Sequence, residues 1–132
     1  MQTIAAALLA ASGILKATSE SPRLDAEILL SHVLDLTRTQ LRLQPARVLT
    51  EAQHALYQTF IHRRQTREPI AYLVENKEFW SLSLRTTAAV LVPRPETEIL
   101  VETVLALITT KDARIADLGT GSGAIALALA SE

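Results

Sequence analysis

Three of the chain's four glycines fall within five residues, in the run Asp117-Leu118-Gly119-Thr120-Gly121-Ser122-Gly123. Arg114 to Leu118 reads as a short strand of the buried type, and Ala124 to Ala130, made only of Ala, Ile and Leu, begins a helix. Few architectures accommodate a strand that turns through closely spaced glycines into a helix. Glycine lets the backbone turn sharply and approach a ligand with no side chain in the way. In α/β folds such a strand-to-helix switch is where nucleotide-type cofactors sit.

Gly119, Gly121 and Ala124 also satisfy the looser G-x-G-x-x-A dinucleotide pattern. Asp117 argues against that reading, because a carboxylate at the strand end repels a pyrophosphate. It suits a ligand with a cationic amine and a sulfonium and no phosphate, which describes S-adenosylmethionine. Gly123 makes the spacing G-x-G-x-G. The acid that a dinucleotide site carries about 20 residues further on would fall beyond Glu132. Dinucleotide binding and an unoccupied structural turn remain the alternatives.

The preceding 113 residues are organised differently. Ile4, Leu8, Ala11 and Leu15 recur at helical spacing. Thr18 to Pro22 interrupts, with Ser21 placed to cap the next helix and Pro22 at its first position. That helix carries Leu24, Ile28, Leu29, Val33 and Leu34 on one face, with Arg23, Asp25 and Glu27 largely off it. A short helical piece follows at Arg38 to Leu43. Thr50-Glu51-Ala52-Gln53 matches a capping box, and Leu56, Phe60 and Ile61 supply the apolar stripe behind it. His62, Arg63, Arg64 and Arg67 read as a solvated helix end, where cations complement the dipole, with a partner-contacting patch as the alternative. After Pro69, Glu78-Phe79-Trp80 and Leu82 to Thr86 read as a hairpin with a tight turn near Ser81. Ala88 to Val92 reads as extended. Pro95 opens a helix running to about Thr109, with Glu96 and Glu98 as first-turn acids.

Composition narrows the function classes. Net charge is −1 and hydrophobic residues make up 48%, so the chain is globular and no global positive field favours nucleic acid. With no cysteine and three scattered histidines, neither disulfides nor a metal site is expected. The N-terminal stretch lacks a basic signal-peptide start and is too short to span a bilayer. A cytoplasmic protein without membrane attachment is expected.

Four stretches, taken together, resemble one family. They are Ser21 to Leu30 (Ser-Pro-Arg-Leu-Asp-Ala-Glu-Ile-Leu-Leu); Arg67 to Leu73 (Arg-Glu-Pro-Ile-Ala-Tyr-Leu); Glu78-Phe79-Trp80 with Val92 to Glu98 (Val-Pro-Arg-Pro-Glu-Thr-Glu); and Asp117 to Ala130. In order and spacing the chain resembles the protein-(glutamine-N5) methyltransferases that modify peptide chain release factors. The resemblance implies a mainly α helical N-terminal domain (1–72) that helps recognise the protein substrate and a short β-hairpin linker (73–92). The start of an α/β Rossmann-like methyltransferase domain (93–132) follows, truncated at Glu132. It implies methyl transfer from S-adenosyl-L-methionine to the side-chain amide of the glutamine in a release factor's Gly-Gly-Gln motif, by an enzyme expected to be monomeric. The cofactor would lie against Asp117, Gly119, Thr120, Gly121, Ser122 and Gly123, with Pro93, Arg94, Pro95, Glu96 and Thr97 beside its methionine end.

Two departures bear on these expectations. Family members often carry Gly before Glu-Pro-Ile-Ala and Thr-Gly after Tyr-Leu. This chain has Arg67 and Val74-Glu75-Asn76, and Asn76, tolerant of left-handed angles, is the expected stand-in for glycine. The family's catalytic Asn-Pro-Pro-Tyr motif is absent from residues 1–132 and is expected downstream. No catalytic residue is therefore assigned, and residues 1–132 alone are expected to be inactive and to bind cofactor very weakly or not at all. A helical partner-binding fragment without catalysis and a nucleic-acid amino-methyltransferase are the alternative functions.

Overall fold

The structure is a computed structural model that describes residues 2–110 and 112–132. The chain divides into two compact units, Met1–Val74 and Glu75–Glu132.

The first unit is helical. Thr3 accepts a hydrogen bond from the Ala6 amide and caps α1, Ile4–Leu15. Ile4, Ala7, Leu8, Ala11 and Leu15 form its buried stripe, at the three- and four-residue spacing that aligns side chains on one helical face. Helix α2, Pro22–Leu34, begins on proline as expected. Ser21 does not cap it; its hydroxyl donates instead to Asp25 Oδ1 at 3.5 Å. Thr37 and Gln40 form a full capping box at α3, Arg38–Leu43. The expected Thr50–Gln53 box opens α4, Glu51–Gln65. Pro69 precedes the single-turn α5, Ile70–Leu73. Between α3 and α4 the chain returns to the start of α1 through an antiparallel bridge, Thr3 opposite Val48. The Leu49 amide donates to Gln2 O and the Ile4 amide to Arg47 O, both at 2.9 Å, so a connection that runs outside the helices keeps its backbone groups paired.

The core joins the α1 stripe to Ala26, Leu29, Leu30 and Leu34 of α2, Leu41 of α3, Leu49, Tyr57 and Ile61 of α4, and Leu73. Two faces differ from expectation. Leu56 is half exposed and Tyr57 fully buried, because the Tyr57 hydroxyl reaches the Ala26 carbonyl at 3.1 Å, which satisfies its polar end inside the core. On α2, Asp25 and Glu27 are buried while Leu24 is exposed, because arginines from α3 and α4 hold the two carboxylates.

The second unit holds β1, Asn76–Phe79, and β2, Leu82–Arg85, paired antiparallel from Asn76 opposite Arg85 to Phe79 opposite Leu82. The two-residue turn between them, Trp80-Ser81, has φ of 52° and 59°, the left-handed pair that matches the natural twist of a hairpin. The Trp80 amide donates to Glu98 Oε1 at 2.9 Å. A 3-10 turn at Pro95–Thr97 leads into α6, Glu98–Leu107, two residues shorter than expected. A last helix, α7, spans Ala124–Ala130. Phe79, Leu84, Val101, Ala124 and Ala128 form this unit's core.

Three expectations fail here. Residues 113–117 form no strand, Ile115 is half exposed, and Leu118 is 93% exposed. A strand of the buried type needs neighbouring strands for its amides and carbonyls and helices over both faces. Among the described residues the only sheet is the β1–β2 hairpin. The start of a Rossmann-like sheet is therefore not formed, and the fold is mainly helical with one small hairpin. Residues 88–90 turn rather than extend, the Val90 amide bonding Thr87 O at 3.1 Å. Finally, Asn76 does not stand in for glycine. It begins β1, and the left-handed residues are Arg67, φ 69°, and Glu75, φ 50°. These are the two positions where glycine was expected from the resemblance, so the backbone keeps its turns and ordinary side chains bear the strain.

Candidate functional site

The glycine loop is built from the backbone outwards. Gly119, Gly121 and Gly123 have φ of +78°, +56° and +79°, a region where any Cβ is strained. A Cβ at Gly119 would meet nothing within 4 Å, and one at Gly121 would meet only Gly119 O at 4.0 Å. A Cβ at Gly123 would touch the Leu127 side chain at 3.6 Å, an ordinary contact. Conformation and not packing therefore demands these glycines, and the space above Gly119 and Gly121 is open. Thr120 Oγ1 donates to Asp117 Oδ2 at 3.1 Å, and the Gly123 amide donates to Thr120 O at 2.9 Å. These bonds close the loop on itself and hold Asp117 beside it. Ser122 is half-buried.

Asp117 also lines a cleft of about 650 Å³, mostly apolar, with Leu105, Ile108, Ile115, Leu129 and Glu132 among its neighbours. The structure thus brings Asp117, Thr120 and the glycines together. Among the described residues no hydrogen bond or ion pair joins Pro93 to Thr97 to this loop. Pro93, Arg94, Pro95, Glu96 and Thr97 instead form the entry to α6, where the Thr97 amide donates to Arg94 O at 3.0 Å. Arg94, Pro95 and Glu96 are exposed. An open carboxylate beside a left-handed glycine loop offers negative charge and close backbone approach to a cationic ligand. The site's remaining sides are not formed by residues 93–132. Glu98, expected only as a first-turn acid, also anchors the hairpin turn through Trp80.

A second constellation was missed in the sequence. Glu27 is 2% exposed and receives three arginines: Arg23 Nε at 3.0 Å, Arg38 Nε at 3.2 Å and Nη2 at 3.0 Å, and Arg42 Nη2 at 2.8 Å. Burial alone would raise the Glu27 carboxyl, but the hydrogen bonds from Arg42, Arg23 and Arg38 outweigh it and hold it at about 2, against an ordinary 4.5. Nearby, Asp25 accepts from Arg64 Nε at 2.8 Å and Ser19 Oγ at 2.6 Å, and Arg63 pairs with Glu68 at 2.6 Å. Two members of the basic cluster are therefore ion-paired and not merely solvated. Of the arginines on Glu27 and Asp25, only Arg23, at a four-residue helical interval from Glu27, carried a signal in the sequence; Arg38, Arg42 and Arg64 lie 11 to 39 positions from the carboxylates they hold. Among the described residues no group of three or more His, Asp or Glu comes together to hold a metal, and no helix is long and apolar enough to cross a membrane.

Comparison with known proteins gives a consistent result. Residues 6–74 match the family model for the PrmC N-terminal domain. The chain is 54% identical over 112 residues to the release factor glutamine methyltransferase of Buchnera aphidicola subsp. Schizaphis graminum, covering 85% of this chain and 41% of that protein. It is 53% identical over 114 residues to that of Escherichia coli K12, covering 86% and 41%. With that of Shewanella oneidensis it shares 48% over 129 residues, covering 98% and 45%. The chain spans less than half the length of these relatives. With its N-terminal half matched by the family model and nearly all of its length aligned to these enzymes, the chain belongs to the release factor glutamine methyltransferase family.

Proposed function

We propose that the whole protein to which these residues belong transfers a methyl group from S-adenosyl-L-methionine to the side-chain amide nitrogen of the glutamine in the Gly-Gly-Gln motif of a peptide chain release factor. The observation that carries this reading is the loop 117–123: three glycines in left-handed conformation, open space where Cβ atoms would stand on Gly119 and Gly121, and Asp117 hydrogen-bonded to Thr120. When bound, the cofactor supplies an electrophilic methyl group on its sulfonium sulfur. In this reading Asp117 offers negative charge to a cationic ligand, and the backbone of Gly119, Thr120, Gly121, Ser122 and Gly123 gives close approach without side-chain obstruction. Pro93 to Thr97 complete the methionine end once a catalytic domain is assembled around them.

The division of labour follows the same reading. Residues 1–72 hold the protein substrate, 73–92 link, and 93–132 begin a Rossmann-like catalytic domain whose further strands come from the additional length that the relatives have. The catalytic motif that positions the amide for attack lies in that additional length, and the enzyme works in the cytoplasm. Residues 1–132 by themselves transfer no methyl group. The nucleic-acid alternative draws no support from a chain of net charge −1, and the helical-fragment alternative leaves the glycine loop without a purpose. The test is an assay of the whole protein with labelled cofactor, given a release factor, the same factor with its motif glutamine replaced, or DNA and RNA. Label in the intact factor alone supports the reading; label in nucleic acid, or in the substituted factor equally, overturns it.

A further inference from the structure

The three arginines around Glu27 are more than one carboxylate needs. Arg38 alone gives Glu27 Oε2 two N–H groups, at 3.2 and 3.0 Å, and ties α3 to α2. Arg23 and Arg42 then add two further positive charges against the same carboxylate, where the guanidinium groups repel one another. Their side chains are 63% and 59% exposed, and that of Arg38 is 45% exposed. A guanidinium has five N–H donors, and only four donor atoms of the three groups point at Glu27.

The excess is local. Residues 1–74 hold eight Lys and Arg against six Asp and Glu. Arg63 and Arg64 are each matched by their own carboxylate, whereas three arginines share Glu27. The buried Glu27 therefore acts as a fixed post that gathers three forks on one face of α2 and α3, leaving two positive charges over.

We propose that Arg23, Arg38 and Arg42 form a docking point for an acidic segment of the protein substrate, one that presents two neighbouring carboxylates. This rests on the reading that the substrate is a release factor. Guanidinium forks match carboxylates in a two-bond geometry, and two surplus charges match two carboxylates. A nucleic acid would call for a basic track following successive phosphates; this patch gathers on one carboxylate, and Arg63 and Arg64 are already paired with carboxylates of their own.

The test is steady-state methylation by the whole protein with Arg23→Gln and Arg42→Gln combined, which leaves Arg38 to pair with Glu27. The KM for release factor rises about tenfold at low salt, and the rise shrinks as salt is added. The effect falls on KM for the factor and not on kcat or on KM for the cofactor. Arg23→Lys with Arg42→Lys, which keeps the charge but not the two-bond fork, recovers only part of it. The melting temperature of the Gln variant is measured alongside; it falls, because Glu27 keeps only Arg38, and KM is compared well below both melting temperatures, so a folding defect is seen separately. An unchanged KM for release factor, or a loss confined to kcat, overturns the docking point while leaving the methyltransferase reading intact. If the parent protein methylates no release factor, both fall. Tight binding of RNA that the Gln variant loses, with KM for the factor unchanged, would assign the patch to nucleic acid and overturn the proposal.

Discussion

Replacing Glu27 by Gln keeps the shape of the side chain and removes the charge that gathers three arginines. The carboxyl's fall from 4.5 to about 2 corresponds to about 3 kcal/mol at about 1.4 kcal/mol per pH unit. Because all three guanidinium groups are half exposed, solvent screening reduces that to about 1–2 kcal/mol. The sign follows from linkage. The folded-state value is depressed, so the stabilisation is fully present above about pH 4.5 and is lost as pH falls towards 2. Urea unfolding followed by helical circular dichroism at pH 7 should show Glu27→Gln with a midpoint lower by about 1 M, for an m-value of about 1–2 kcal/mol per M. The gap between variant and parent should narrow steadily below pH 4.5. Equal midpoints at pH 7, or a gap that does not narrow in acid, would refute the account of this network.

Arg67 sits at φ 69° with its side chain exposed, so Arg67→Gly should relieve left-handed strain and raise stability by about 0.5–1 kcal/mol, read as a higher urea midpoint. Tyr57→Phe removes the buried bond to the Ala26 carbonyl and should cost about 1 kcal/mol with little change in packing, also by urea unfolding. Gly121→Val places a β-branched residue at φ +56°; in the whole protein it should weaken S-adenosylmethionine binding at least about tenfold by calorimetry, about 1.4 kcal/mol or more. Calorimetry on residues 1–132 alone should give no measurable heat of cofactor binding, since residues 93–132 form only the loop and not the surrounding sheet; micromolar binding would contradict this.

Much of the helical unit was legible from local chemistry. The α1 stripe, Pro22 at the start of α2, and the Thr50–Gln53 box each depend on residues within one or two turns, and each appears as expected. The hairpin was legible for the same reason, its turn falling at Trp80-Ser81. What was hidden depends on distant partners. Asp25 and Glu27 read as surface acids because Arg64, Arg38 and Arg42 come from other helices. Tyr57 displaces Leu56 from the core because a carbonyl on α2 meets its hydroxyl. The left-handed positions were misassigned by one residue, since propensity favoured Asn76 where chain geometry placed the turn at Glu75. Residues 114–118 carry a strand's composition, but composition cannot supply the neighbouring strands that would pair with it. The glycine loop is the opposite case: its conformation belongs to the glycines themselves and forms without the sheet.

The most direct test of the central claim is mass spectrometry of a release factor incubated with the whole protein and S-adenosylmethionine. The expected result is the added mass of one methyl group on the peptide carrying Gly-Gly-Gln, located by fragmentation to the glutamine side chain and absent when the glutamine is replaced. An unmodified peptide under saturating cofactor, or a methyl group on another residue, would contradict it.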